Sequence, residues 1–391
     1  MKILGIESSC DETAASVVQD GRVLLSNVIN SQIDIHAVYG GVVPEVAARS
    51  HIEVVNPVIN QALADAHLTW DDIDAIAVTY APGLIGSLLV GTLAARTLAV
   101  MKNKPLYPIH HVEAHVYANF LNETAPEFPM LALIVSGGHS QLVLFRDHGD
   151  YELLGQTQDD AVGEAFDKVA KIIGLPYPGG PSIAKAALDG DPLAYRLPKA
   201  QFKCIHSGPH TGMVRKAQPS NGLSRTDAYG EGVAQAVTPR TAQEVCHYYD
   251  FSFSGLKTAV LRAVQREVGV DFTFPSRDLP ALLNDVQRAN FAASFQHIAT
   301  ETLINKAELA FRDFAPKSVV IAGGVAANQE LRRKLSARLP LHIDYAPMNL
   351  CTDNAAMIAT LGYYYAQKKQ PIDPFDLEVI PSLSMTKTAW A

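Results

Sequence analysis

"KILGIESSCDETAASVVQDGRVLLSNVI", residues 2 to 29, decides how this chain folds, because "MLALIVSGGHSQLVLFRDHGDYELLGQT", residues 130 to 157, repeats its pattern. In the first stretch apolar "ILGI" runs into polar "ESSCDE", and "AASVV" meets the turn "QDGR" before "VLLSNVI". Short apolar runs bounded by Gly, Asp and Ser read as strands joined by tight turns. The second stretch again gives strand, small-residue turn, strand, turn, strand. Each repeat is followed by helix-rich sequence with a further strand, "DAIAVTYAPG" or "SVVIAGGV", that runs into a glycine turn and a helical stretch. The order predicts a duplicated α/β protein whose two lobes face each other across a cleft. We place the first lobe at residues 1–128 and the second at 129–352. A helix near 353–370 is expected to pack back on the first lobe, and 371–391 to form a C-terminal tail.

Composition sets the outer limits. A chain of 391 residues with 48% hydrophobic content can bury a large core and suggests two domains. A net charge of −8 excludes a surface that attracts nucleic acid everywhere, so an RNA partner must be met by a local patch. Cys10, Cys204, Cys246 and Cys351 are far apart and form no C-x-x-C pair, which disfavours a disulfide framework or a zinc ribbon and fits a reducing cytoplasm. "MKILGIESSCDE" is too short an apolar run for a signal peptide. "LIGSLLVGTLAARTLAVM" is interrupted by Arg96 and reads as a buried helix of a soluble protein, with no membrane partner.

The turns between the first two strands of each repeat carry Ser8, Ser9, Asp11 and Glu12 in one lobe and Ser136, Gly137, Gly138 and His139 in the other. Small residues let backbone N–H groups converge on an anion, and serine hydroxyls can add hydrogen bonds. A glycine pair alone marks only a turn; the duplication gives it weight. A third glycine turn, "VVIAGGVAANQELRRKL", opens a helix whose first turn should include Asn328. Such a turn suits an adenine or ribose, and the helix N-terminus suits phosphate. Neither G-x-G-x-x-G nor G-x-x-x-x-G-K-[ST] occurs there, which disfavours a Rossmann site and removes the P-loop. Two repeated lobes with strand–turn–strand phosphate loops point to the actin, hexokinase and sugar-kinase (ASKHA) fold.

"PIHHVEAHVYANF", residues 108 to 120, raises the question of a metal. Ile109, Val112, Val116 and Phe120 are spaced by three and four, which predicts an amphipathic helix over 109–121. At about 100° per residue, His111 and His115 lie about 40° apart on one face. The protease motif H-E-x-x-H sets its glutamate beside the first histidine. Here Glu113 lies about 180° from the pair's midpoint, which argues against that general base. A solvated pair on an exposed helix face is the competing reading. A third ligand is available in "APMNLCTDNAAMIA", where Asp353 begins a helix and is a candidate both for its N-cap and for a metal. Two histidines and a carboxylate leave coordination positions open and suit Fe(II) or Zn(II).

"GIESSCDETAASVV", "GGVVPEVAARSHIE", "APGLIGSLLVG", "HHVEAH", "IVSGGHSQLV", "DDAVGEAFDKVAK", "LPYPGGP", "FSFSGLKTAV", "AGGVAANQELR" and "CTDNAAMIA" stand in this order along the chain. Together they resemble the bacterial TsaD proteins, once called O-sialoglycoprotein endopeptidases and similar to the Kae/OSGEP subunits of archaea and eukaryotes. The resemblance implies transfer of an L-threonylcarbamoyl group from threonylcarbamoyl-AMP to N6 of the adenosine 3′ of the anticodon, in tRNAs reading codons that start with A. It implies one divalent metal per chain on His111, His115 and Asp353, Fe(II) with Zn(II) as the alternative. Its substrate-binding positions fall on Ile134, Val135, Ser136, Gly137, Gly138, Asp167, Gly180 and Asn328. Where many members carry an acidic residue, this chain has Ala184, which puts one nucleotide hydroxyl contact in doubt. Implied partners are tRNA, a paralogous TsaB-like subunit that dimerises through the first lobe, a TsaE-like ATPase and a separate threonylcarbamoyl-AMP synthase. By their chemistry, Asp11 or Glu12 is the candidate to accept the amine proton. The rival readings are an ATP-dependent kinase of the same fold and a metalloprotease.

Arg49 and His51, on a helix expected from "GGVVPEVAARSHIE", are candidate phosphate contacts, with a solvated face as the alternative. Residues 198–249 depart from the family pattern: rich in Gly, Ser, Pro and Thr, with Lys199, Lys203, Arg215, Lys216, Arg225 and Arg240 against Asp227, Glu231 and Glu244. They read as a mobile excursion, or as an added contact to the tRNA backbone. Cys204, His206, His210, Cys246 and His247 offer a second metal set with irregular spacing. Under the RNA-contact reading, deleting 198–249 weakens tRNA binding and flattens its salt dependence in a titration from about 50 to 200 mM salt. Unchanged affinity and slope would remove the segment from RNA recognition.

Overall fold

A computed structural model describes residues 1–200 and 248–386. The basic segment and the second cysteine–histidine set fall almost wholly on residues 201–247, outside the described residues.

The strand–turn–strand repeats form the expected hairpins. In the first lobe β1 (Lys2–Glu7), β2 (Glu12–Gln19), β3 (Val23–Ser31), β4 (Ala75–Ala81) and β5 (Leu106–His110) make one sheet in the order β3-β2-β1-β4-β5. β1 pairs antiparallel with β2, Lys2 opposite Gln19, and parallel with β4, Ile3 opposite Ala75. The second lobe repeats the plan with β6 (Met130–Val135), β7 (Ser140–Asp147), β8 (Asp150–Gln156), β9 (Ser318–Ala322) and β10 (Ile343–Tyr345), in the order β10-β9-β6-β7-β8. The strands β4 and β6, "AIAVTYA" and "MLALIV", are buried throughout, as continuous apolar strands covered on both faces should be. The turn from β2 to β3 places Asp20 at φ 52° and Gly21 at φ 65°, the left-handed backbone that an Asp-Gly hairpin turn supplies.

Ten α-helices complete the described fold: α1 (Ile33–Ala37), α2 (Pro44–Asp65), α3 (Ile85–Lys102), α4 (His111–Tyr117), α5 (Val162–Ile173), α6 (Gly179–Ala186), α7 (Ser254–Glu267), α8 (Asp285–Phe314), α9 (Gln329–Arg338) and α10 (Ala355–Lys368). α2 and α3 cover the outer face of the first sheet, and α5, α7 and α8 that of the second. Between the sheets lies a shared core in which Val112 and Val116 of α4 and Met357 and Leu361 of α10 meet Ala77, Ile109, Ala132, Ile134 and Val320. α10 packs on β1, β2, β4 and β5 of the first lobe.

The helix α3 departs from expectation. Ser87, Leu88, Gly91, Thr92, Ala95 and Ala99 are buried, but Ile85, Leu89 and Leu93 are 50 to 64% exposed along one stripe. Its small residues seat it closely: a Cβ on Gly91 would strike the Ser8 hydroxyl. The chain after α10 is a strap on the first lobe, tied by Ile372 N–H to the Leu106 carbonyl, Ile380 N–H to the Tyr80 carbonyl and Gly83 N–H to the Pro381 carbonyl, each at 3.0 Å.

A close seam lies at Gly5, where an added Cβ would lie 2.7 Å from the Ala359 nitrogen and against the Ala355 carbonyl of α10. Gly5→Ala is therefore expected to destabilise the chain by about 1–3 kcal/mol, read from the urea midpoint, because backbone must move to admit a methyl group. An unshifted midpoint would contradict this packing.

Candidate metal centre

The polar centre between the lobes forms where β5 becomes α4. The helix expected over 109–121 is shorter, because Ile109 pairs with Thr79 and His110 with Ala81, extending β5 to the edge of the histidine pair. A 3-10 turn, Ala118–Leu121, follows α4. Every residue of α4 is buried, with His111 8% and His115 2% exposed. The solvated-face reading therefore fails: a helix clamped between two sheets has no water-facing side.

Asp353 joins the pair from the loop before α10. It is not the cap, because Asn354 takes that role, accepting from Met357 N–H at 3.1 Å. One residue of displacement leaves the Asp353 carboxylate free to face the histidines. Its Oδ1 lies 3.3 Å from His115 Nε2 and 3.6 Å from His111 Nε2. One ligand atom from each of the three residues lies within 4.8 Å of the others. The His115 contact is close but misaligned for a hydrogen bond, and neither ring nitrogen of this buried histidine has a hydrogen-bond partner. Two imidazoles and a carboxylate converging with an orphaned nitrogen are compatible with a divalent metal.

Glu7, which sequence reasoning missed, organises this set from behind. It is fully buried at the end of β1, with Oε2 3.1 Å from His111 Nδ1. It accepts from Thr79 Oγ1 at 2.5 Å and from Ser9 N–H at 2.6 Å. Burial opposes its charge, but the facing His111 outweighs it and holds the carboxyl below its usual range. Burial likewise opposes charge on His111, and Glu7 and Asp353 override it, raising the imidazole to about 9. Asp353 is held well below the carboxylate range by both histidines against burial. A carboxylate only accepts here, so His111 Nδ1 carries a proton toward Glu7 and Nε2 is the atom left for a metal. The signal in the sequence was a carboxylate ending the apolar run "KILGIE".

Glu113 points elsewhere. It is fully buried, accepts from Tyr365 Oη at 2.8 Å, lies 3.3 Å from Tyr151 Oη, and is pushed up to about 7 by burial. A protease base beside the histidine pair is thus absent from this helix.

The two hairpin turns are not equivalent. Ser8 donates to the Ser87 carbonyl and Ser9 Oγ lies 3.1 Å from His111 Nδ1, so both serines serve the protein rather than an anion. Glu12 accepts from Ser31 Oγ at 3.2 Å; burial first, then the neighbouring Asp353 and Asp11, push it up to about 10. In the second lobe Ser136 N–H donates to the His139 carbonyl at 2.8 Å, leaving Gly137 and Gly138 exposed with nothing within 4 Å of an added Cβ. This turn keeps its backbone open for a ligand. Ile134 and Val135 are fully buried in β6, so their side chains face the core and not a substrate.

The remaining residues sit at helix ends. Asp167 on α5 accepts from Gly179 N–H at 2.6 Å, and burial raises its carboxyl. Gly180, in the first turn of α6, is open on its Cβ side, and Ala184 follows on the same helix. Asn328 is the N-cap of α9 rather than part of its first turn: its side chain accepts from Leu331 N–H at 3.0 Å and donates to Gln296 Oε1 at 2.8 Å. On α2, Arg49 is exposed, but His51 is fully buried between Thr13 Oγ1 at 2.7 Å and the Cys10 carbonyl at 3.0 Å, which removes it as a phosphate contact.

Comparison with known proteins bears on this geometry. A family model described as "TsaD: tRNA N6-adenosine threonylcarbamoyltransferase" matches residues 23–237 and 217–360. A Symbiobacterium thermophilum protein named tRNA N6-adenosine threonylcarbamoyltransferase is 47% identical, covering 98% of this chain and 96% of its own. A protein of the same name from Thermomicrobium roseum is 47% identical, with 97% and 95% covered. Among solved structures, full-length HypF in its phosphate- and nucleotide-bound form aligns with TM-score 0.53 at 12% identity, covering 94% of this chain and 46% of that one. That likeness concerns the fold, which is the duplicated two-lobed ASKHA architecture.

Two predictions follow from the Glu7–His111 pair. Glu7→Gln should lower divalent-metal affinity about 10- to 100-fold in the purified protein, measured by competition with a chromogenic chelator; undiminished affinity would leave Glu7 without a positioning role. With His111 raised to about 9, a metal must displace its Nε2 proton at neutral pH, so affinity should climb as pH rises toward 9. Calorimetry in buffers of different ionisation enthalpy should show about one proton released per metal near pH 7; no release would contradict this protonation.

Proposed function

The chain belongs to the TsaD family of tRNA N6-adenosine threonylcarbamoyltransferases, and we propose that it moves the L-threonylcarbamoyl group from threonylcarbamoyl-AMP to N6 of the adenosine 3′ of the anticodon. The acceptors are tRNAs reading codons that start with A, and AMP is released. The observation that carries the chemistry is the convergence of His111, His115 and Asp353, with ligand atoms within 4.8 Å. A kinase of the same fold has no use for that set, and a metalloprotease would need the glutamate that here faces Tyr365 and Tyr151.

The exocyclic amine of adenine is a weak nucleophile because its lone pair is delocalised, so activation must lie in the donor, a mixed carbamoyl-phosphate anhydride. His111, His115 and Asp353 would hold one divalent metal, which we assign as Fe(II) with Zn(II) the alternative; when bound it supplies Lewis acidity toward the threonylcarbamoyl group. The open backbone at Gly137 and Gly138, with Ser136, binds the phosphate and stabilises its charge as AMP departs. Asp167, Gly180 and Asn328 hold the nucleoside. Glu12, raised to about 10, keeps its proton through the neutral range, which leaves the neighbouring Asp11 to accept the amine proton.

The acceptor lies in an unpaired loop, where no Watson–Crick pair need break. The stripe of Ile85, Leu89 and Leu93 on α3 supports docking of a paralogous TsaB-like subunit on the first lobe. A TsaE-like ATPase and a separate synthase complete the cytoplasmic system.

With labelled threonylcarbamoyl-AMP, tRNA and the partner subunits, the protein should form modified adenosine, and a chelator should abolish it. No product under any condition would overturn the reading. Asp11→Asn and Glu12→Ala should each cost about 10²-fold or more in transfer while retaining metal and nucleotide. Unchanged transfer by either variant would remove that residue from the mechanism.

A further inference from the structure

A cavity of about 390 Å³ adjoins the metal ligands, and the account above leaves it unused. Its size falls in the range of roughly 300–1,000 Å³ typical of small-molecule sites. His110 and Val112, on either side of His111, line it; Gln141 and Gln156 enter from β7 and β8, and Leu383 and Met385 from the C-terminal strap. The strap is held here by His110 Nε2–H donating to the Leu383 carbonyl at 3.1 Å and by Tyr151 Oη donating to the Met385 carbonyl at 2.9 Å. Among the described residues no lysine, arginine, aspartate or glutamate lines the cavity, so it offers a phosphate or free carboxylate no counter-charge.

Two side chains of this wall have an unmet acceptor. His110 is 3% exposed; with Nε2 donating to the strap, Nδ1 is the bare acceptor, and it has no partner. Gln141 is 7% exposed and its Oε1 has none either. Buried acceptors left unpaired are costly, so a ligand that donates to both is favoured. It must be neutral, carry two donor hydrogens, and lie against Val112, Leu383 and Met385. A threonyl side chain has one hydroxyl donor. An adenine has a flat apolar ring and two hydrogens on its exocyclic amine, the group that glutamine side chains recognise in nucleic acids.

We propose that this cavity is the docking pocket that receives the acceptor adenine before transfer, its exocyclic amine donating to His110 Nδ1 and Gln141 Oε1 until one of those hydrogens is released toward Asp11 as the amine attacks, with the strap as its outer wall. The proposal rests on the transferase reading and adds to it the place where the acceptor base is received, extruded from an unpaired loop. Affinity of the full-length protein should be measured for two anticodon stem-loop RNAs that differ only at the acceptor position, adenine in one and purine lacking the amine in the other. The wild type should bind the adenine RNA about tenfold more tightly. Gln141→Leu should equalise the two RNAs without changing metal content, and Ser382→Trp, at the exposed rim of the cavity, should weaken binding of both. Equal affinities in the wild type, or a preference intact in both variants, would overturn the pocket. The two levels separate in the transfer assay. If the transferase reading fails, the wild type with its partners modifies neither RNA. If only the pocket fails, the wild type modifies the adenine RNA and both variants match its rate.

Discussion

The contact on which the site depends is the one between the buried carboxylate of Glu7 and Nδ1 of His111, 3.1 Å apart. An ionised carboxylate with no exposed surface is tolerated only when its oxygens are met. Here Thr79, Ser9 and His111 meet them. That arrangement ties the end of β1 to the start of α4, fixes which nitrogen of His111 faces the cleft, and thereby sets the histidine pair against Asp353. The strain of burying charge is thus placed where it orients a ligand. The duplicated sheets are the frame for this: each lobe offers its first hairpin to the cleft, and α4 and α10 fill the layer between them.

Duplication has also let the two hairpins diverge. The first-lobe turn is filled with side chains that serve the protein, Ser8 toward α3 and Ser9 toward His111, and its carboxyl groups crowd Asp353. The second-lobe turn keeps an open backbone at Gly137 and Gly138. One turn thus stands against the histidine–aspartate set while the other leaves its backbone open, so a duplicated hairpin presents two different faces.

Much of this was legible in the sequence because it is local. Strand, small-residue turn and strand recur within 28 residues in each repeat, and the glycine turns announce themselves by composition. What was misjudged depends on residues far apart in the chain. The helix expected from residue 109 begins at 111 because parallel pairing with β4 captures Ile109 and His110. The histidine pair is buried because a second sheet covers α4, which no helical periodicity reports. Asp353 and Asn354 are both good caps by type, and packing chooses Asn354. His51 was read as a surface group although its ring satisfies Thr13 and the Cys10 carbonyl. α3 shows the opposite error: an apolar run taken for a buried helix keeps one apolar stripe exposed, as a surface built for a partner would.

The central claim is that His111, His115 and Asp353 together hold a divalent metal. X-ray absorption at the metal edge of the purified full-length protein tests it most directly, because scattering distinguishes imidazole, oxygen and sulfur neighbours. The account predicts two imidazole nitrogens and carboxylate oxygen around the metal, with one imidazole lost in His115→Ala. A sulfur-dominated shell, or a spectrum unchanged by that substitution, would contradict it.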